Sequence, residues 1–260
     1  MLIFVVPLKS SKVSRSWELT CRLLERTLKS ICNQTRSSFK VVVACHEKPD
    51  ITFESFHLCY TQVEFPPPKK DVNLTTKEWF MRCELDKGRK ILAGIDYADR
   101  FSPTYTMAAD ADDCVSNRIA EFVENNAGSN GWFLGKGYFY NESTERLEFK
   151  YRKFNLFCGT SNIVRYDIVG APSSPEYNRG YGYYRDNVIF LKHNHVRGKL
   201  EERGTPLSPL PFPGAVYITE NSENIYFQDN NSIYGKRLER FLGRRRFTAK
   251  IQKEFGLYPY

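Results

Sequence analysis

The stretch "TYTMAADADDCVSN", residues 104–117, sets Asp110, Asp112 and Asp113 within four positions directly after a short apolar run. Carboxylates this close repel one another, and one stays partly protonated unless a cation or hydrogen-bond donors neutralise them. The run therefore reads as a strand that ends in a turn holding something. In open parallel sheets ligands bind beyond the carboxyl ends of strands, so the sequence upstream decides whether this strand lies in such a sheet. "LIFVVPL" (2–8) is a continuous β-branched apolar run, as expected of a strand buried on both faces. "SRSWELTCRLLERTLKSICNQT" then spaces Trp17, Cys21, Leu24, Leu28 and Ile31 as one helix face, with Ser14 or Ser16 to cap it. "FKVVVAC" (39–45) completes a right-handed βαβ unit. "HLCYTQVEF" (57–65) reads as a third strand, stopped by Pro66, Pro67 and Pro68. Thr75 or Thr76 caps a helix through "KEWFMRCEL", and a second helical stretch, "GRKILAGIDYADRF", leads into the acid-bearing strand.

After the acids, Ser116 is placed to cap a helix "NRIAEFVENN", and "GWFLGKGYFY" with "RLEFKYRKF" reads as a hairpin around "NESTE". "EYNRGYGYYRDN" is dense in Gly and Tyr, and "RGTPLSPLPFPGAVY" is an extended segment punctuated by proline. At 260 residues, 41% hydrophobic and 26% charged, the chain suits one large α/β domain, or a domain with a C-terminal appendage, and not a disordered chain. There is no run of 18 apolar residues to span a membrane. Seven cysteines, an odd number without a CxxC pair, read as reduced thiols. The first apolar run is too short for a signal peptide and lacks a basic leader, so a cytoplasmic location is expected, and the sequons at Asn33, Asn73, Asn141 and Asn230 carry no weight. Of the net charge of +8, residues 236–254 supply +6, from eight Lys or Arg against two Glu. Leu238, Phe241, Leu242, Ile251 and Phe255 are interleaved with these cations, so the segment suits either an anionic membrane surface or packing onto the main body.

In order, "FVVPLKSS", "LERTLKSICNQTRSSFKVVVA", "AADADD", "GTSNIVR" and "RDN" followed by "RGTPLSPLPFPGAVY" resemble the GT-A fold of nucleotide-sugar glycosyltransferases, particularly the inverting group called family 2. The resemblance covers about residues 2–220. It implies a Rossmann-like α/β fold with a mixed, mostly parallel sheet flanked by helices. Residues 1–115 would form the nucleotide-sugar-binding half, 116–220 the acceptor-binding half, and 221–260 a basic helical extension. The implied reaction moves a sugar from a nucleotide diphosphate donor, most simply a UDP-sugar, to a hydroxyl of a saccharide or lipid-linked saccharide, with contact at the inner membrane face. A diphosphate leaves readily once a hard cation such as Mn²⁺ or Mg²⁺ neutralises it.

Carried onto this chain, the resemblance makes Asp112 the direct metal ligand. Asp110 leans toward the ribose or a metal-bound water, and Asp113 supports the turn or faces the sugar. Pro7, Leu8 and Lys9 pass under the nucleotide, and Arg89 or Lys90 approaches the diphosphate. The usual base-reading Asp is missing after the second strand, where Ala44 and Cys45 stand, so Glu47 or Asp50 is its substitute. Asp186 is the catalytic base, with Arg185 where the family has an acid; helix capping is the bland reading of the same residue. His193 and His195 lie about 200° apart if helical and cannot chelate together, although one could join a metal shell. The tyrosines of "YNRGYGYY" stack on the acceptor or simply pack. Two other classes compete with this one. A haloacid-dehalogenase-like phosphatase also carries DxD after a strand, but has Thr or Val where Cys114 stands. A nucleic-acid-binding module using the basic end would lack any accompanying motif.

Overall fold

The computed structural model describes residues 1–71, 73–171, 176–224 and 244–258. Its centre is a seven-stranded sheet. β1 (Leu2–Pro7), β2 (Phe39–Cys45), β3 (Leu58–Gln62) and β4 (Tyr105–Ala108) are parallel, in the order β3-β2-β1-β4. β9 (Asn162–Arg165) joins β4 antiparallel, followed by β6 (Gly131–Phe133) and the short β10 (Ser208–Pro209). Only β9 runs against the rest, so the sheet is mixed but mostly parallel, as the sequence predicts. Alternate residues of β1 serve two cores. Phe4 and Val6 pack with Leu24 and Leu28 of α1 (Trp17–Ile31), while Ile3 and Val5 pack with Ile91 and Ile95 of α2 (Thr76–Ala98). Burial on both faces is what the unbroken apolar run dictated.

Ser16 caps α1, its hydroxyl accepting from Leu19 N. α2 is one helix of 23 residues where the sequence suggested two, and Thr75 with Glu78 forms a reciprocal capping box at its start. Gly94 lets this helix lie close on β1, since a Cβ there would come within 2.4 Å of Val5 Cγ1.

A second sheet, ordered β12-β8-β7-β11-β5, departs from the expected hairpin. Residues 131–133 enter the large sheet as β6, and only Gly137–Asn141 (β7) pairs with Arg146–Lys150 (β8). The chain changes sheets at residues 134–136. β11 (Ala215–Thr219) lies between β7 and β5 (Cys114–Val115), and β12 (Arg244–Arg245) pairs with β8. Ser116 does not cap α3 (Ile119–Asn125); its hydroxyl donates to Glu254 instead, at 2.8 Å. α4 is Tyr181–Asn187 and α5 is Val196–Glu202.

The described part of the basic end packs onto the main body. In α6 (Ala249–Phe255) Phe255 is buried, together with Leu257 just after it. The Lys253 and Glu254 carbonyls accept from Asn33 and from Asn117 N. Leu238, Phe241 and Leu242 lie outside the described residues. Among the described residues, no helix is long and apolar enough to cross a membrane.

Candidate active site

Strands of both sheets and a long helix converge on a cavity of about 650 Å³ beyond the carboxyl ends of β1 and β4. Pro7, Leu8, Lys9, Asp110, Ala111 and Asp112 line it from the two strand ends. Helix α2 contributes the face Phe80, Cys83, Glu84, Asp86, Lys87 and Lys90, a set at helical spacing.

The three aspartates have separate surroundings. Asp113 is fully buried and ties distant segments together. It accepts from Thr160 Oγ1 at 2.6 Å, from Cys158 Sγ at 3.3 Å and from Ile218 N at 3.2 Å. Burial, and then the charges of Asp112 and Asp110, push its pKa well above the ordinary carboxylate value. Of its two expected roles, supporting the turn is the one its contacts perform.

Asp112 accepts at Oδ2 from Asn221 Nδ2 (2.8 Å) and Asn224 Nδ2 (3.2 Å). Burial and then neighbouring Asp110 raise its pKa. Asp110 is ion-paired through Oδ1 with Lys87, and its backbone N–H donates to Thr160 Oγ1 at 2.8 Å. Its carboxylate also rests on Gly159, where a Cβ would stand 2.2 Å from Oδ2. Burial disfavours the charge on Lys87, but Asp110, with Asp113 and Asp112 behind it, more than compensates, so its pKa is raised.

A segment far along the chain closes this arrangement. Glu223 pairs with Lys9 and accepts from Ser16 N at 2.7 Å and Arg15 N at 3.3 Å, so it binds the β1 end and the α1 start together. Asn221 and Asn224 hold Asp112 from the same turn.

The remaining expected residues fall in different places. Lys90 lines the cavity and is almost fully buried, paired with Asp86 at 2.6 Å; burial lowers its pKa despite that partner. Arg89 is outside the lining. Its guanidinium lies over Phe65 and Tyr184 and donates to the Arg179 carbonyl. Glu47 is also outside; Ser10 Oγ (2.8 Å) and Ser11 N (3.3 Å) donate to it, so it braces the turn after β1.

Asp186 does not open a helix. It sits in the last turn of α4, exposed, with Arg185 donating to both its oxygens at 2.8 and 3.1 Å, and it does not line the cavity. Tyr177, Tyr181, Tyr183 and Tyr184 pack against the core on the α2 side, again outside the lining. His193 and His195 occupy a 3-10 turn, not an α-helix, and both line the cavity. Burial and then Lys87 lower the His193 pKa to about 4, which keeps its ring neutral. Its Nε2 is buried without a hydrogen-bond partner among the described residues.

Sequence reasoning missed Lys87, Glu223, Asn221 and Asn224. Lys87 was within reach, because it shares the helical face of Cys83 and Lys90, from which Arg89 is turned away. Nothing local signals the other three.

The donor set suits a hard divalent cation bound jointly with a ligand. Asp110 Oδ2 and Asp112 Oδ1 meet no hydrogen-bond donor among the described residues. No group of three His, Cys, Asp or Glu converges among those residues either. Two carboxylate oxygens completed by phosphate oxygens and water is the usual habit of Mg²⁺ at phosphates.

No protein-family model matches the chain, and no curated protein matches it. Among solved structures it is similar to S. aureus TarS 1-349, at TM-score 0.45 and 10% identity over 84% of this chain and 60% of that one. It is also similar to the Francisella tularensis 2-C-methyl-D-erythritol 4-phosphate cytidylyltransferase IspD, at TM-score 0.43 and 12% identity over 93% of this chain and 97% of that one. This chain thus spans about three-fifths of the TarS chain. Neither likeness reaches a TM-score of 0.5, so neither says which chemistry the cavity performs.

Proposed function

We propose that the protein transfers a sugar, with inversion, from a nucleotide diphosphate donor to an acceptor hydroxyl. The observation that supports this best is the pairing at one strand end of two carboxylates, each with an oxygen to give, with Lys9, Lys87 and Lys90 around the same cavity. In the transfer the acceptor oxygen bonds to the anomeric carbon as the bond to the diphosphate oxygen breaks. The electron pair of that bond leaves with the diphosphate, and the hydroxyl proton passes to a base.

Asp110 and Asp112 would hold Mn²⁺ or Mg²⁺, which supplies charge neutralisation to the departing diphosphate. Lys87 and the two amides fix the carboxylates, so little reorganisation remains for the moment of reaction. Pro7 and Leu8 give the nucleotide an apolar floor beside Lys9. Asp186 would serve as the base only if α4 brought it to the cavity.

The test is thermal stabilisation by UDP, GDP and their sugars with and without Mn²⁺. One nucleotide should raise the melting temperature in a metal-dependent way, since saturation at about 100 times Kd adds roughly 2.7 kcal/mol. Asp112→Ala should abolish that stabilisation. A protein that no nucleotide stabilises, or an Asp112→Ala variant that responds as wild type does, would refute the proposal.

A further inference from the structure

Lys9, Lys87 and Lys90 in the cavity wall are each paired with a carboxylate, and the pairs are not equally open. Lys90 and Asp86 are closed off, with 1% and 10% of their side chains exposed. Lys9 is 22% exposed, but its partner Glu223 is only 3% exposed and also accepts from Ser16 N and Arg15 N. At Lys87 and Asp110 both partners are open to the cavity, at 32% and 26%. A ligand entering there meets this ammonium and this carboxylate together.

The pair occupies the carboxylate that a divalent cation would also use. Lys87 donates to Asp110 Oδ1, and Oδ2 of the same group meets no donor among the described residues. The donors to Asp112, Asn221 and Asn224, are neutral amides, while Lys87 is among the charges that act on it from a distance. Two ionised carboxylates against one ammonium leave a single negative charge on this part of the wall. A divalent cation bound there alone would turn that into a positive excess, with Lys87 repelling it across a shared carboxylate. A diphosphate removes the excess, because its oxygens can meet the cation and the ammonium at once.

We infer that Lys87 makes cation binding and diphosphate binding interdependent: its ammonium disfavours a bare divalent cation at Asp110 and Asp112, and favours the same cation when a diphosphate accompanies it. The coupling is reciprocal, so the cation tightens diphosphate binding by the factor that the diphosphate tightens its own. Asp110 does not need Lys87 to stay in place, since its N–H donates to Thr160 Oγ1 at 2.8 Å and its carboxylate rests on Gly159. That the diphosphate belongs to a sugar donor rests on the glycosyl-transfer reading above; the coupling through Lys87 needs only a diphosphate.

The experiment is calorimetric titration of wild type, Lys87→Met and Lys87→Arg with Mn²⁺ alone, and then with UDP or inorganic diphosphate at saturating Mn²⁺. Lys87→Met should bind Mn²⁺ alone at least about tenfold tighter than wild type, and UDP with Mn²⁺ at least about tenfold more weakly, each a change of about 1.4 kcal/mol. The opposite signs are diagnostic, because a side chain that merely held the turn together would weaken both. Lys87→Arg, which keeps the charge, should follow wild type in both titrations. Melting temperatures check the fold, and Lys87→Gln repeats the measurement with a polar neutral side chain.

The inference is overturned if neither neutral variant binds Mn²⁺ alone tighter than wild type does, or if both bind UDP with Mn²⁺ as wild type does. UDP and Mn²⁺ binding that depends on Asp112 but is the same in Lys87→Met would remove this inference and leave the transfer reading. Inorganic diphosphate that couples to Mn²⁺ through Lys87 where UDP does not would remove the transfer reading and leave the coupling.

Discussion

The turn Asp110–Asp113 and the pair Arg185–Asp186 both place acids where the sequence suggests chemistry, and their surroundings are opposite. At the turn, donors reach the acids from residues 87, 158–160, 218 and 221–224, and burial leads the causes that raise the pKa of Asp112 and Asp113. At α4 the only donor to Asp186 among the described residues is the residue before it, and hydrogen bonds from Arg185 lead the causes that lower its pKa. An acid that many segments of a fold serve is expensive to keep charged and is kept for a reason. An acid served by its own neighbour at the surface costs almost nothing and says correspondingly little.

The contrast can be tested in descending size of effect. Asp113→Ala should destabilise the fold by about 3 kcal/mol in urea unfolding, because Thr160, Cys158 and Ile218 lose a buried acceptor together. A loss under about 1 kcal/mol would mean that the turn is not held through this residue. Gly159→Ala should push the Asp110 carboxylate aside and reduce metal-dependent nucleotide affinity by about 10- to 100-fold, or about 1.4–2.7 kcal/mol, with the fold kept.

A smaller effect follows from the raised pKa of Asp112. The folded state holds its proton to higher pH than the unfolded chain does. The stability this gives is present below the ordinary carboxylate pKa and is lost as pH rises through the folded-state value. Without divalent cations, Asp112→Asn should therefore gain in melting temperature over wild type as pH climbs from about 4 to neutrality. Mn²⁺ with nucleotide should cancel the gain. Smallest of all, Asp186→Ala should change transfer by no more than about threefold if α4 stays where it is; a loss of about 10³ in kcat would show that the helix carries its acid into the cavity during turnover.

Much of this was legible in the sequence, for reasons that differ along the chain. β1, β2 and β4 declare themselves because a strand buried on both faces needs an unbroken apolar run. The acid turn follows from its position after such a strand. The second sheet was less legible, since β7 borders β11 through pairs such as Val216 with Tyr138, about 80 residues apart, and no local pattern encodes that distance. The same limit hid Glu223, Asn221 and Asn224, whose amide and carboxylate groups look like an ordinary polar turn until the fold sets them beside Asp112 and Lys9. Asp186 shows a different limit, because a short motif match cannot report whether its carboxylate faces a cavity or solvent.

The clasp formed by Asn221, Glu223 and Asn224 bears on the order in which the protein is made. The strand that presents the acids leaves the ribosome more than a hundred residues ahead of the amides that steady Asp112. During synthesis the acids and Lys87 therefore exist for a time without the piece that joins the first strand to the first helix. A pocket closed by this turn is thus a late product of translation.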